Sequence, residues 1–115
     1  MLTRLPRLTA LPLAWLVLSL AWLPAWASPA RVTDVRLWSG PEGTRLVIEL
    51  SAPVEYDVFA LDDPDRIVVD LANTMLPANE SLPPGQGPVK ALRSGPQQGQ
   101  GLRFVLDVTE ALKPR

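Results

Sequence analysis

Three hexapeptides of one pattern recur along this chain: Arg45-Leu46-Val47-Ile48-Glu49-Leu50, Arg66-Ile67-Val68-Val69-Asp70-Leu71 and Arg103-Phe104-Val105-Leu106-Asp107-Val108. Each reads Arg, apolar, Val, apolar, acid, apolar. Successive side chains of a strand point to opposite faces, so Arg, Val and acid share one face and the three apolar residues share the other. A helix would scatter both sets around its axis, whereas a strand with one buried face keeps them apart. Side by side, such strands form ladders of solvent-facing Arg and carboxylate pairs, each contributing roughly a few tenths of a kcal/mol. The same polar faces, including Arg45, Arg66 and Arg103, are also candidates for a ligand surface, and the pattern alone leaves both readings open.

Period-two alternation continues elsewhere. Val35 and Leu37 line one strand face, and Val54, Tyr56 and Val58 another, with Tyr56 and Phe104 expected in the core. Between the runs lie Ser39-Gly40-Pro41-Glu42-Gly43, Asp62-Asp63-Pro64-Asp65, Pro83-Pro84-Gly85 and Gln97-Gln98-Gly99-Gln100-Gly101, all of turn composition. No segment sustains a helical period. The class expected is all-β, with about six short strands suited to a sandwich.

The recurrence extends upstream of the hexapeptides. Val35-Arg36, Ser39-Gly40-Pro41 and Arg45 are echoed by Leu92-Arg93, Ser94-Gly95-Pro96 and Arg103, which predicts two homologous units, from about Val32 to Leu71 and from about Val89 onward. Arg66 follows Arg45 by 21 positions. The same step from Arg103 reaches position 124, past Arg115, so the second unit is expected to be truncated. On that expectation Leu102–Val108 is an exposed edge with unpaired backbone groups, and the chain by itself is marginally stable.

The first 27 residues differ from the rest. Arg4 and Arg7 precede an uncharged, Leu- and Trp-rich run from Leu8 to Leu23, and Ala25-Trp26-Ala27 places small residues at the −3 and −1 positions of a cleavage site. This is the plan of a Sec-type signal peptide cleaved after Ala27, with Pro24 holding the site out of helix. Leu8 to Ala30 is long enough to span a bilayer, so an uncleaved anchor is the competing reading. Arg4 and Arg7 are not adjacent, which argues against a twin-arginine signal. Contact with membrane is then expected only through this leader during export.

Composition narrows the chemistry. The chain has no His and no Cys, so it offers no imidazole base, no thiolate nucleophile and no zinc site of the usual kind, and no catalytic residue is assigned. Beyond residue 27 it carries 9 Lys and Arg against 12 Asp and Glu, without the basic excess of a nucleic-acid binder. Asp62, Asp63 and Asp65 suggest a cation site, but a type I turn around Pro64 accounts for them more simply. Glu55 and Asp57 share a strand face without a matching partner for glycoside hydrolysis. Trp38, beside the Ser-Gly-Pro turn, and Phe59, on the polar face, are candidates to stack on a sugar ring.

The residues Thr44–Leu50, Val54–Leu61 and Asp63-Pro64-Asp65-Arg66-Ile67-Val68-Val69-Asp70-Leu71 together resemble the AMIN domain, and Gly101–Val108 with Lys113-Pro114 resembles its second half. The resemblance covers about Arg31 to Arg115. It implies a β-sandwich of two symmetric small sheets, in keeping with the duplicated unit. It further implies a periplasmic module that binds peptidoglycan at the division septum, most often within an N-acetylmuramoyl-L-alanine amidase, with divisome or envelope proteins as further partners. In that arrangement the zinc belongs to a catalytic domain held by His and Glu, which this chain lacks. AMIN modules also occur in type IV pilus secretins, the alternative setting.

Overall fold

The computed structural model describes residues 28–115; the leader and its cleavage site at Ala27 lie outside the described residues. Seven strands follow in order: β1 (Ala30–Gly40), β2 (Gly43–Leu50), β3 (Tyr56–Leu61), β4 (Arg66–Leu71), β5 (Thr74–Met75), β6 (Val89–Gln97) and β7 (Gly101–Val108). They form two sheets, one ordered β2-β1-β5 and the other β3-β4-β7-β6. All neighbours are antiparallel except β1 and β5, which pair in parallel through Ala30 with Thr74 and Arg31 with Met75. The protein is all-β, and its two sheets pack face to face.

The β1–β2 and β6–β7 hairpins are built alike. Val35 faces Ile48 and Arg36 faces Val47 in the first; Leu92 faces Leu106 and Arg93 faces Val105 in the second. Each hairpin skips one residue in its leading strand at the same place, between Val32 and Asp34 and between Val89 and Ala91. Such a bulge bends the strand and increases its twist, letting a long hairpin curve over the opposite sheet. The hairpins differ in their turns. Pro41-Glu42 joins Gly40 to Gly43, whereas Gln98-Gly99-Gln100 joins Gln97 to Gly101, with Gly99 at φ 75° supplying the left-handed residue of a three-residue connection.

The inward faces are the apolar sides of the hexapeptide pattern. Val32, Val35 and Leu37 of β1, Ile67 and Leu71 of β4, Val89 and Leu92 of β6, and Leu102, Phe104, Leu106 and Val108 of β7 form one core. Phe104 lies at its centre with no exposed surface. Burying a side chain of that size stabilises the fold by about 1.5–3 kcal/mol. Leu46, Ile48 and Leu50 of β2 pack against the core only in part.

Three expectations are overturned. The strand Leu102–Val108 is no edge: β7 lies between β4 and β6, and its inward residues Leu102, Phe104, Leu106 and Val108 are all buried. The edge strands are β2 and β5 in the smaller sheet and β3 and β6 in the larger, because the first unit contributes β4 to the sheet of the second. Tyr56 is not core either, but 72% exposed, with Val58 also exposed. The inward-parity side of β3 is thus left uncovered, and the smaller sheet has three strands against four. The sheets are therefore of unequal width. The link after β3 also differs from the expected type I turn: it has a cis Asp63–Pro64 peptide and φ 55° at Asp63, and Arg66 Nη1 donates back to the carbonyls of Asp62 and Pro64.

Two small devices fasten the sheets together. Thr74 N–H of β5 donates to the carbonyl of Gln100 in the β6–β7 turn, while Ala30 N–H donates to Asn73. Past the end of β5, the Gln86 side chain takes over the free edge of β1. Its amide nitrogen donates to Leu37 O at 3.1 Å and its oxygen accepts from Ser39 N–H at 3.2 Å.

Candidate functional site

The outward face of the larger sheet is set by register. Phe59, Val68, Val105 and Arg93 lie abreast across the four strands, flanked by a row of Asp57, Asp70, Arg103 and Gly95 and a row of Leu61, Arg66, Asp107 and Ala91. Because β4 and β7 carry the same hexapeptide pattern and run antiparallel, each Arg stands opposite the other's acid and Val68 stands opposite Val105 in the middle. Val68 is only 2% exposed although it is on the outward side, so this face has an apolar centre within a charged frame.

Ion pairs hold the frame in place. Arg103 Nε and Nη2 donate to the two oxygens of Asp70 at 2.7 and 2.8 Å, and Gln97 Nε2 donates to Asp70 Oδ2 at 3.0 Å. Asp70 is buried at 8% exposure, so its carboxylate requires these donors. The hydrogen bond that Arg103 donates to Asp70 raises the pKa of Arg103. Arg103 also lies over the Phe59 ring, 5.9 Å from its centroid, within cation–π range. Arg93 forks onto Asp107 at 2.7 and 2.9 Å. That hydrogen bond holds the Asp107 carboxyl below its ordinary pKa, with Lys90 and Arg66 adding attraction against the opposing effect of burial.

The smaller sheet repeats part of this frame. Arg36 donates to Glu49 at 2.9 Å in the place that Arg93 and Asp107 take in the second hairpin. Trp38 stands opposite Arg45 at the hairpin's end and is 54% exposed, its ring lying across Gly40 so closely that a Cβ there would collide with it. Ser39 and Thr44 hydroxyls meet at 3.0 Å beside it. Arg45, the counterpart of Arg103, has no ion-pair or side-chain hydrogen-bond partner among the described residues.

The candidate residues thus divide between two faces. Phe59, Arg66 and Arg103 share the outward face of the larger sheet, with the Arg103 guanidinium over the Phe59 ring, whereas Trp38 and Arg45 stand together on the smaller sheet. Asp70, Gln97, Arg93 and Asp107 were not singled out as site residues, although they fix the donors of the first face. The antiparallel pairing of two hexapeptides of one pattern was the signal that would have matched Asp70 with Arg103. Among the described residues no three of His, Cys, Asp and Glu come together as a metal site. What the face presents is a flat ring, fixed guanidinium donors and carboxylate acceptors, suited to an extended polar ligand lying across strands.

The fold and these faces define a small all-β sandwich module made from a duplicated hairpin. A family model described as the AMIN domain matches residues 34–115, and the chain belongs to that family. It is 30% identical over 94 residues to the N-acetylmuramoyl-L-alanine amidase AmiC of Escherichia coli O6:H1, covering 77% of this chain and 22% of that protein. It is 31% identical over 83 residues to the N-acetylmuramoyl-L-alanine amidase AmiC of Neisseria meningitidis serogroup B, covering 68% of this chain and 20% of that protein. The chain therefore spans about a fifth of the length of these relatives. No solved structure matches it.

Proposed function

We propose that this domain binds peptidoglycan and serves as the wall-targeting module of a periplasmic N-acetylmuramoyl-L-alanine amidase acting in cell division. The observation that carries the reading is the match of an AMIN domain to the corresponding region of two amidases. The outward faces give it a physical basis. Phe59 and Trp38 offer rings for sugar stacking, and Arg66, Arg103 and Arg45 offer donors to the carboxylates and carbonyls of stem peptides. Each contact can be weak, because a repetitive polymer presents many sites and raises the effective concentration.

Hydrolysis and the zinc that serves it belong in this reading to a catalytic domain outside these residues, since the chain has neither His nor Cys. Export would follow from the leader ending at Ala27. Amidase relatives favour this setting over a pilus secretin. The test is to export the chain fused to a fluorescent reporter and to pellet it with purified sacculi. Concentration at division sites together with co-sedimentation is expected; uniform periplasmic fluorescence without pelleting would refute the proposal.

A further inference from the structure

The row Asp57, Asp70, Arg103 and Gly95 crosses all four strands of the larger sheet on its outward face, next to Phe59. Its centre is held firmly yet keeps free donors. Arg103 engages Asp70 through Nε and Nη2, while Nη1 has no partner among the described residues. Gln97, folded over Gly101 so closely that a Cβ there would strike its Oε1, holds Asp70 with Nε2. The Phe59 ring is partly exposed, with the guanidinium 5.9 Å from its centroid. At the far end of the row a Cβ on Gly95 would meet nothing within 4 Å, so the floor beyond Arg103 is open. Charge decides what can lie there. Arg93 is forked onto Asp107 and Arg66 donates to the carbonyls of Asp62 and Pro64, whereas Asp57, Asp62, Asp63 and Asp65 have no ion-pair partner among the described residues. An anion on this face would meet cations already engaged and carboxylates still free, a costly juxtaposition.

We propose that Phe59, Arg103, Asp57 and the open floor at Gly95 form a subsite for an N-acetylated sugar of the glycan, and not for the anionic stem peptides. It rests on the wall-binding reading above and narrows it, for this face, to the uncharged part of the polymer. An N-acetyl group is a planar amide with one acceptor and one donor. Its carbonyl takes an N–H of Arg103 Nη1, its N–H is given to the Asp57 carboxylate, and the apolar face of the sugar lies on the Phe59 ring. Asp70 and Gln97 are positioning residues: they hold the guanidinium in place, so that little rotamer freedom is lost on binding. Neighbouring strands lie about 4.8 Å apart, so the row offers roughly 14 Å of platform across the sheet, with the next sugar over Gly95.

The chain has two phenylalanines, Phe59 in the subsite and Phe104 at the centre of the core. Fluorophenylalanine incorporated at both gives one fluorine NMR signal for each, assigned with Phe59→Leu. Titration with the hexamer of N-acetylglucosamine should shift the Phe59 signal and leave that of Phe104 in place. The glucose hexamer, which lacks the amide, and the free stem tetrapeptide should each bind at least about tenfold more weakly, the scale of one charge-assisted hydrogen bond. Gly95→Ile suits a strand and crowds only the floor, so it should weaken the N-acetylglucosamine hexamer by about tenfold with the Phe104 signal unmoved. Equal binding of the glucose hexamer or of the tetrapeptide, or full affinity in Gly95→Ile, would overturn the subsite. A chain that pellets with sacculi while its Phe59 signal ignores the N-acetylglucosamine hexamer would overturn it too and leave wall binding standing. A chain that does neither would remove both.

Discussion

The guanidinium of Arg103 and the carboxylate of Asp70 are joined across neighbouring strands by two hydrogen bonds of 2.7 and 2.8 Å, with the acid buried and the base half-exposed. Arg103→Ala leaves the buried acid with Gln97 as its one remaining side-chain donor, and this should cost about 1–3 kcal/mol in urea unfolding. Arg103→Lys should recover only part of the loss, because an ammonium cannot reproduce the fork.

Acid should weaken the fold through Asp107. Its pKa is depressed from an ordinary 3.8, mainly by the hydrogen bond from Arg93. The ionised carboxylate therefore contributes stability at pH values above the unfolded pKa, and the contribution is lost as pH falls through the lower folded value. Melting temperatures measured from about pH 6 down to about pH 2 should fall less steeply for Asp107→Asn than for the wild type. Parallel curves would show that the pair has no linkage to folding.

At the centre of the core, Phe104→Ala should cost about 3–5 kcal/mol, a large share of what a domain of this size possesses. Phe104→Leu should be milder. Denaturant midpoints for the two variants measure the difference.

Gln86→Ala removes both hydrogen bonds that close the free edge of β1, at a cost of about 1–2 kcal/mol. A more specific signature is accelerated amide exchange at Ser39, whose N–H loses its acceptor. Gln86→Glu keeps an acceptor for Ser39 but places an anion beside Leu37 O, so it should protect the Ser39 amide while still lowering stability.

Strand content and the inward faces were legible because alternation is a local property: Leu46, Ile48, Ile67, Phe104 and Leu106 all point inward as their parity requires. Sheet order was not legible. Whether β7 is central depends on β4 crossing to it from the other unit, a long-range choice that no local pattern encodes. Tyr56 was misplaced for the same reason, since parity gives the side of a strand but not what covers that side. β5, two residues paired in parallel, is too short to leave any period. At the site, the rings and arginines could be read from face parity. The Gln97–Asp70 contact needed the register shown by the paired strands.

The matched bulges also bear on how the domain can be altered. Equivalent residues of the two hairpins are 57 apart before the turn, as Val35 and Leu92 are, and 58 apart after it, as Ile48 and Leu106 are. The single-residue difference is absorbed entirely between Gly40 and Gly43 and between Gln97 and Gly101, where Glu42 and Gly99 are exposed. One extra residue inside a strand would turn every following side chain to the wrong face. The two hairpin tips are therefore the ports through which an epitope or reporter loop can be grafted while both ladders keep their register.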